Sequence, residues 1–119
     1  MKKIVLIMIA MLSMTVANAE NENTNTVQAT QAYDMQVNMR KLAVTLGLTY
    51  DQIEAVEDIH QNFCQDMMLA AQATGEEREQ LTDQAISKDV RYMRYVLDHK
   101  QYKTYILLLN TTLRNRGIK

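Results

Sequence analysis

The chain has no proline, and its three glycines stand at positions 47, 75 and 117. Each falls where a run of apolar residues at three- and four-residue spacing ends, so the sequence divides itself into helices. The spacing predicts four of them, at about 31–46, 50–72, 76–97 and 99–116. The first carries Met35, Met39, Leu42 and Leu46 on one stripe and Tyr33, Val37 and Val44 on another. The second carries Ile53, Val56, Phe63, Met67 and Ala70, and the third Leu81, Ala85, Ile86, Val90, Met93 and Leu97. The fourth carries Tyr102, Ile106, Leu109 and Leu113, while Leu107 and Leu108 extend its apolar surface around the helix. Such a helix needs cover on more than one side. The second and third helices are similar in length and closely connected, the pattern of an antiparallel hairpin. The fold class expected is all-α. Asp89 falls within the apolar sector of the third helix, where a carboxylate needs a partner on a neighbouring helix.

Before residue 31 the chain changes character. MKKIVLIMIAMLSMTVANA, residues 1–19, has a basic start at Lys2 and Lys3, an apolar run over 4–16 and the A-x-A site Ala17-Asn18-Ala19. This is the pattern of a cleaved secretory signal peptide, the alternative being an uncleaved anchor helix. Residues 20–30 are polar and expected to be disordered, which leaves 31–119 as the helical domain. No later apolar run could span a bilayer. Location in the periplasm or outside the cell follows. Cys64 is the only cysteine, so no intrachain disulfide can form and the fold holds by packing alone, or across a dimer.

After removal of the leader the chain carries eleven basic and fourteen acidic residues, unevenly placed. Residues 20–84 hold twelve acids against Arg40, Lys41 and Arg78, whereas 85–119 hold Asp89 and Asp98 against eight Lys and Arg. This polarity favours self-pairing or a basic face for acidic partners. It is unlike the uniform basicity of a nucleic-acid binder.

The stretch LGLTYDQ, 46–52, reads as a corner between two helices. Gly47 closes the first, Thr49 is an N-cap, and Gln52 stands where its side chain can reach back to complete a capping box. Leu48 and Ile53 can form a hydrophobic staple across that start. The arrangement returns 49 residues later in LDHKQ, 97–101, with Asp98 as cap, Gln101 at the third position and Leu97 opposite Tyr102. The plain alternative is two good helix starts. The LTxxQ pattern at Leu48, Thr49 and Gln52, with its looser echo at Leu97 and Gln101, resembles the Spy/CpxP family of periplasmic helical proteins. Asp98 stands in the second copy where that family has Thr. The resemblance implies a long helical hairpin that dimerises into a thin curved cradle. It also implies a chaperone without ATP or a regulator of envelope stress, and some relatives bind metals.

Two further stretches are candidate sites. In HQNFCQDMM, His60 and Cys64 lie one turn apart, with Met67 and Met68 one turn further on, a donor set that would suit Cu(I) or, less well, Zn(II). The plain reading of these residues is core, and no metal or other cofactor is expected. In KDVRYMRYVLDHKQYKTY, 88–105, the side chains of Lys88, Arg91, Arg94 and Tyr95 form a stripe on the third helix. Tyr102 and Tyr105, with Lys100 and Lys103, follow on the fourth. Cations interleaved with aromatics can draw in acidic or amphipathic unfolded chains and then hold them by apolar contact. The alternative is a solvated face.

No triad, phosphate loop or H-x-x-x-H pair is present, so no enzyme activity is expected. The function expected is ATP-independent binding of unfolded or stress-damaged envelope proteins by a homodimer, without nucleic acid or membrane span. The rivals are a metal-responsive sensor or buffer built on His60, Cys64, Met67 and Met68, and a structural adaptor for one envelope partner.

Overall fold

The computed structural model describes residues 29–118. The expected leader, 1–19, and all but the end of the expected disordered segment lie outside the described residues. Among the described residues all regular structure is helical. We number four helices: α1 Met39–Leu46, α2 Tyr50–Gln72, α3 Gly75–Val96 and α4 His99–Asn115. The last three lie within a residue of the expected limits, but the first does not. Residues 29–32 are helical and 34–38 are not, so the single helix expected over 31–46 is split. The cause is local: Asp34 Oδ1 accepts from the Gln36 N–H at 3.2 Å, and Asn38 Oδ1 accepts from the Lys41 N–H at 3.1 Å. Both side chains offer the backbone an alternative to helix, and Asn38 becomes the cap of α1.

Gly47 ends α1 with φ 70°, and the Gly47 and Leu48 N–H groups donate to the Val44 and Ala43 carbonyls. That is the paired bonding of a Schellman motif, and only the positive φ allows it without a Cβ clash. Thr49 then caps α2 and Asp98 caps α4, each with a complete capping box.

Helices α2 and α3 are joined by Ala73 and Thr74 and pack on each other. Arg78, one turn into α3, donates to the Ala70 and Ala71 carbonyls at 3.3 and 2.9 Å, satisfying the open C-terminal end of α2. Further along, Lys88 meets Asp66 at 3.1 Å, and Gln52 reaches the Val96 carbonyl at 3.0 Å. These pairings place the two helices antiparallel. Helix α4 packs against both α3 and α1.

The core runs through all four helices: Leu42 and Leu46 from α1, Val56, Phe63 and Met67 from α2, Met93 from α3, and Tyr105, Leu108, Leu109 and Leu113 from α4. Complete burial of Met67, Met93, Val56 or Leu113 stabilises the fold by roughly 1.5–3 kcal/mol each relative to exposure. Leu108 belongs to this core, so only Leu107 (54 % exposed) remains outside the main stripe of α4.

Candidate functional site

The outer face of α3 presents Arg91, Tyr92, Arg94 and Tyr95, all exposed. Tyr95 is 81 % and Tyr92 45 % exposed. The Arg91 guanidinium lies 5.9 Å from the centre of the Tyr92 ring, and that of Arg94 lies 5.7 Å from the Tyr102 ring on α4. At these distances each guanidinium is attracted to the ring face while its outward donors stay open. Lys100 and Lys103 stand exposed on the first two turns of α4, next to this ridge in sequence. Tyr92 belongs to the ridge although the stripe reading passed it over; its position one turn after Lys88 was the available signal.

Two residues of the expected stripe sit elsewhere. Lys88 is tied to Asp66 across a cleft of about 210 Å³ between α2 and α3, lined also by Asp58, Ile59, Asn62 and Tyr92. Part of its charge is spent locally. Tyr105 is 5 % exposed and is a core residue whose hydroxyl donates to Asp89 Oδ2. It cannot touch a partner at the surface. The same bond supplies the partner that Asp89 required. Burial pushes the Asp89 carboxyl up to about 7, partly opposed by the Tyr105 bond, and raises the Tyr105 phenol well above its usual range.

The residues of the second candidate site are largely engaged in packing. Met67 is fully buried. His60 is buried, and its Nε2 lies 2.7 Å from the Met35 carbonyl, which fixes Nε2 as the protonated nitrogen because a carbonyl can only accept. Burial lowers its pKa, against a smaller effect of that bond, so the neutral ring is favoured. Cys64 is half-buried, and desolvation, reinforced by Asp34 and Asp89, pushes its thiol up to about 12. A thiol so disposed stays protonated near neutral pH and is a poor nucleophile. Among the described residues no cluster of three or more His, Cys, Asp or Glu side chains is arranged to hold a metal ion.

The capping residues converge. Gln52 and Gln101 each close their own capping box through Oε1, accepting from the Thr49 and Asp98 N–H groups at 3.0 Å. Their amides also face one another. Gln52 Nε2 donates to Gln101 Oε1 at 2.8 Å, and Gln101 Nε2 donates back at 3.1 Å. The second amide hydrogen of Gln52 goes to the Val96 carbonyl and that of Gln101 to the Gly47 carbonyl, each acceptor five residues before the other glutamine. All the hydrogen-bonding capacity of both amides is used, and the two corners are locked in a quasi-twofold arrangement. In sequence the only sign was the same residue type at the same position of both caps.

Compared with family models, with curated proteins and with solved structures, the chain matches none. No described helix is long and apolar enough to cross a membrane.

Proposed function

We propose that this chain is an exported, ATP-independent chaperone-like protein, not an enzyme, that holds unfolded segments of envelope proteins. The observation that carries the reading is the exposed ridge of Arg91, Tyr92, Arg94 and Tyr95 on α3, continued by Tyr102 on α4. Exposed aromatics clustered with guanidiniums offer a partner both apolar contact and charge. Clients of mixed sequence suit such a surface. Cations attract acidic segments from a distance, and the rings then retain them by contact that salt does not screen.

The resemblance of the two glutamine corners to the LTxxQ motifs of Spy/CpxP proteins supports the same reading. So does the signal-peptide pattern of residues 1–19, which fits export to the periplasm or out of the cell. In this proposal the four helices form the hairpin-type unit of a cradle-like homodimer, in which Leu107, Leu69 and Val44, all exposed, are candidates for cover. The test is aggregation of a reduced, acidic model client with and without the purified chain, without nucleotide. Suppression across unrelated clients supports a general chaperone; suppression confined to one partner identifies an adaptor. No suppression at several-fold excess overturns the proposal.

A further inference from the structure

Residues 29–38 lie over the core as a strap, held by bonds to its main chain and by a few side-chain anchors. Arg116, buried at the end of α4, donates through Nη1 to the carbonyls of Gln31, Ala32 and Asp34. His60 donates to the Met35 carbonyl. These four bonds reach main-chain atoms that any sequence provides. Met35, 2 % exposed, is the deepest anchor, seated among Leu42, Phe63, Leu108, Leu109 and Thr112. Ala29 is buried too, and Tyr33 packs on the core with the Arg78 guanidinium 5.7 Å from its ring and its hydroxyl accepting from Thr82. Main-chain hydrogen bonds with one apolar pocket are the usual division of labour in peptide recognition. Met is the side chain best able to adapt to an irregular pocket, and other unbranched apolar chains fit for the same reason.

The strap does not fill the space beside it. A cleft of about 380 Å³ runs along its edge between Gln36, Val37 and Met39 on one side and Glu57, Gln61 and Cys64 of α2 on the other. Burial lowers the Arg116 pKa, and the charge of Asp34, next to the anchor, works against that lowering.

We propose that the groove under residues 29–38 is a peptide-binding site occupied by the chain's own strap. Its external ligand is a segment of unfolded protein bearing a flexible apolar side chain such as that of methionine. This assignment rests on the chaperone reading and gives it a second contact surface, one that clients reach by displacing the strap. Tethering keeps the strap at an effective concentration on the order of millimolar, so the closed state prevails until a client competes.

The probe is a fluorescein-labelled peptide with the sequence of residues 29–38, ATQAYDMQVN, titrated into the full chain. Met35→Asp expels the anchor, and Met35→Ala, which only shortens it, serves if the first variant fails to fold, with circular dichroism as the control. The folded variant is expected to bind the peptide at least tenfold more tightly than wild type. A peptide with Asp in place of its methionine should not bind, Arg116→Gln in the variant should weaken binding about tenfold, and a reduced unfolded client should displace the peptide. Equal affinity for wild type and the folded variant overturns the proposal, as does bound peptide that excess client cannot displace. Aggregation suppression without peptide binding removes the groove and leaves the chaperone reading intact. Displaceable peptide binding without suppression supports the groove and counts against the chaperone reading.

Discussion

The side-chain amides of Gln52 and Gln101, 49 residues apart in sequence, each donate to the other's carbonyl oxygen, at 2.8 and 3.1 Å. Each is also the third residue of its own capping box. A local device for starting a helix is thereby made into a tertiary clamp between the α1–α2 and α3–α4 corners. Gln101→Leu leaves the Gly47 carbonyl and the Asp98 N–H without the side-chain partner each now has, and removes half the bonds of the Gln52 amide. The expected loss is about 2–3 kcal/mol in urea denaturation. The double change with Gln52→Leu should cost less than the sum of the two single changes, because each single change strands the other amide. Strict additivity would show that the two corners act separately.

Capping at Thr49 has a smaller and more local effect. Thr49 Oγ1 accepts from the Gln52 N–H at 3.3 Å. Thr49→Ala should cost about 1 kcal/mol, whereas Thr49→Asp should be nearly neutral, since the carboxylate accepts the same bond and suits the helix N-terminus. Asp98 already fills that role at the second corner, accepting from the Gln101 N–H at 2.7 Å. Denaturation curves that make both substitutions equally harmful would remove the capping explanation.

Asp89 and His60 give the protein opposing pH dependences. Asp89 rises from 3.8 to about 7 on folding, so the folded state holds its proton more tightly. Its favourable contribution is complete below about pH 4 and is lost as pH rises through about 7, by up to about 4 kcal/mol. His60 is lowered on folding, so the unfolded chain takes up the proton first, and stability is lost as pH falls below about 6.5. Asp89→Asn should remove the loss at high pH and make the variant more stable than wild type at pH 8. The remaining profile should rise with pH through the His60 range. Urea midpoints between pH 4.5 and 8.5 read both effects, and an unchanged profile in Asp89→Asn would mean that the carboxyl ionises as it does in water.

The ridge on α3 predicts a dependence on salt. Exposed charges act within a Debye length of roughly 10 Å at 0.1 M salt, and this range shrinks as salt rises. Arg91→Glu with Arg94→Glu should slow capture of an acidic client at low salt while leaving helix content unchanged. Tyr92→Ser with Tyr95→Ser should instead speed release at all salt concentrations. Lys88 is better left in place, because Lys88→Glu would set two carboxylates across the Asp66 cleft and test stability as well as binding. If the arginine pair can be reversed without slowing capture at low salt, the ridge is a solvated face only.

The sequence by itself determined three of the four helices and their ends. The limits of α2, α3 and α4, the left-handed Gly47 and both capping boxes involve atoms a few residues apart, so residue type and spacing specify them. For the first helix the apolar spacing continues through 34–38 while Asp34 and Asn38 bond locally to the backbone, a competition that periodicity does not register. What only the tertiary structure decided are pairings over long separations: Gln52 with Gln101, Asp89 with Tyr105, Lys88 with Asp66, and Arg116 with the carbonyls of the strap more than 80 residues before it. A tyrosine on the apolar stripe of a helix can serve core or surface equally well. The neighbour that packing brings against it settles which, as Asp89 does when it draws the hydroxyl of Tyr105 inward.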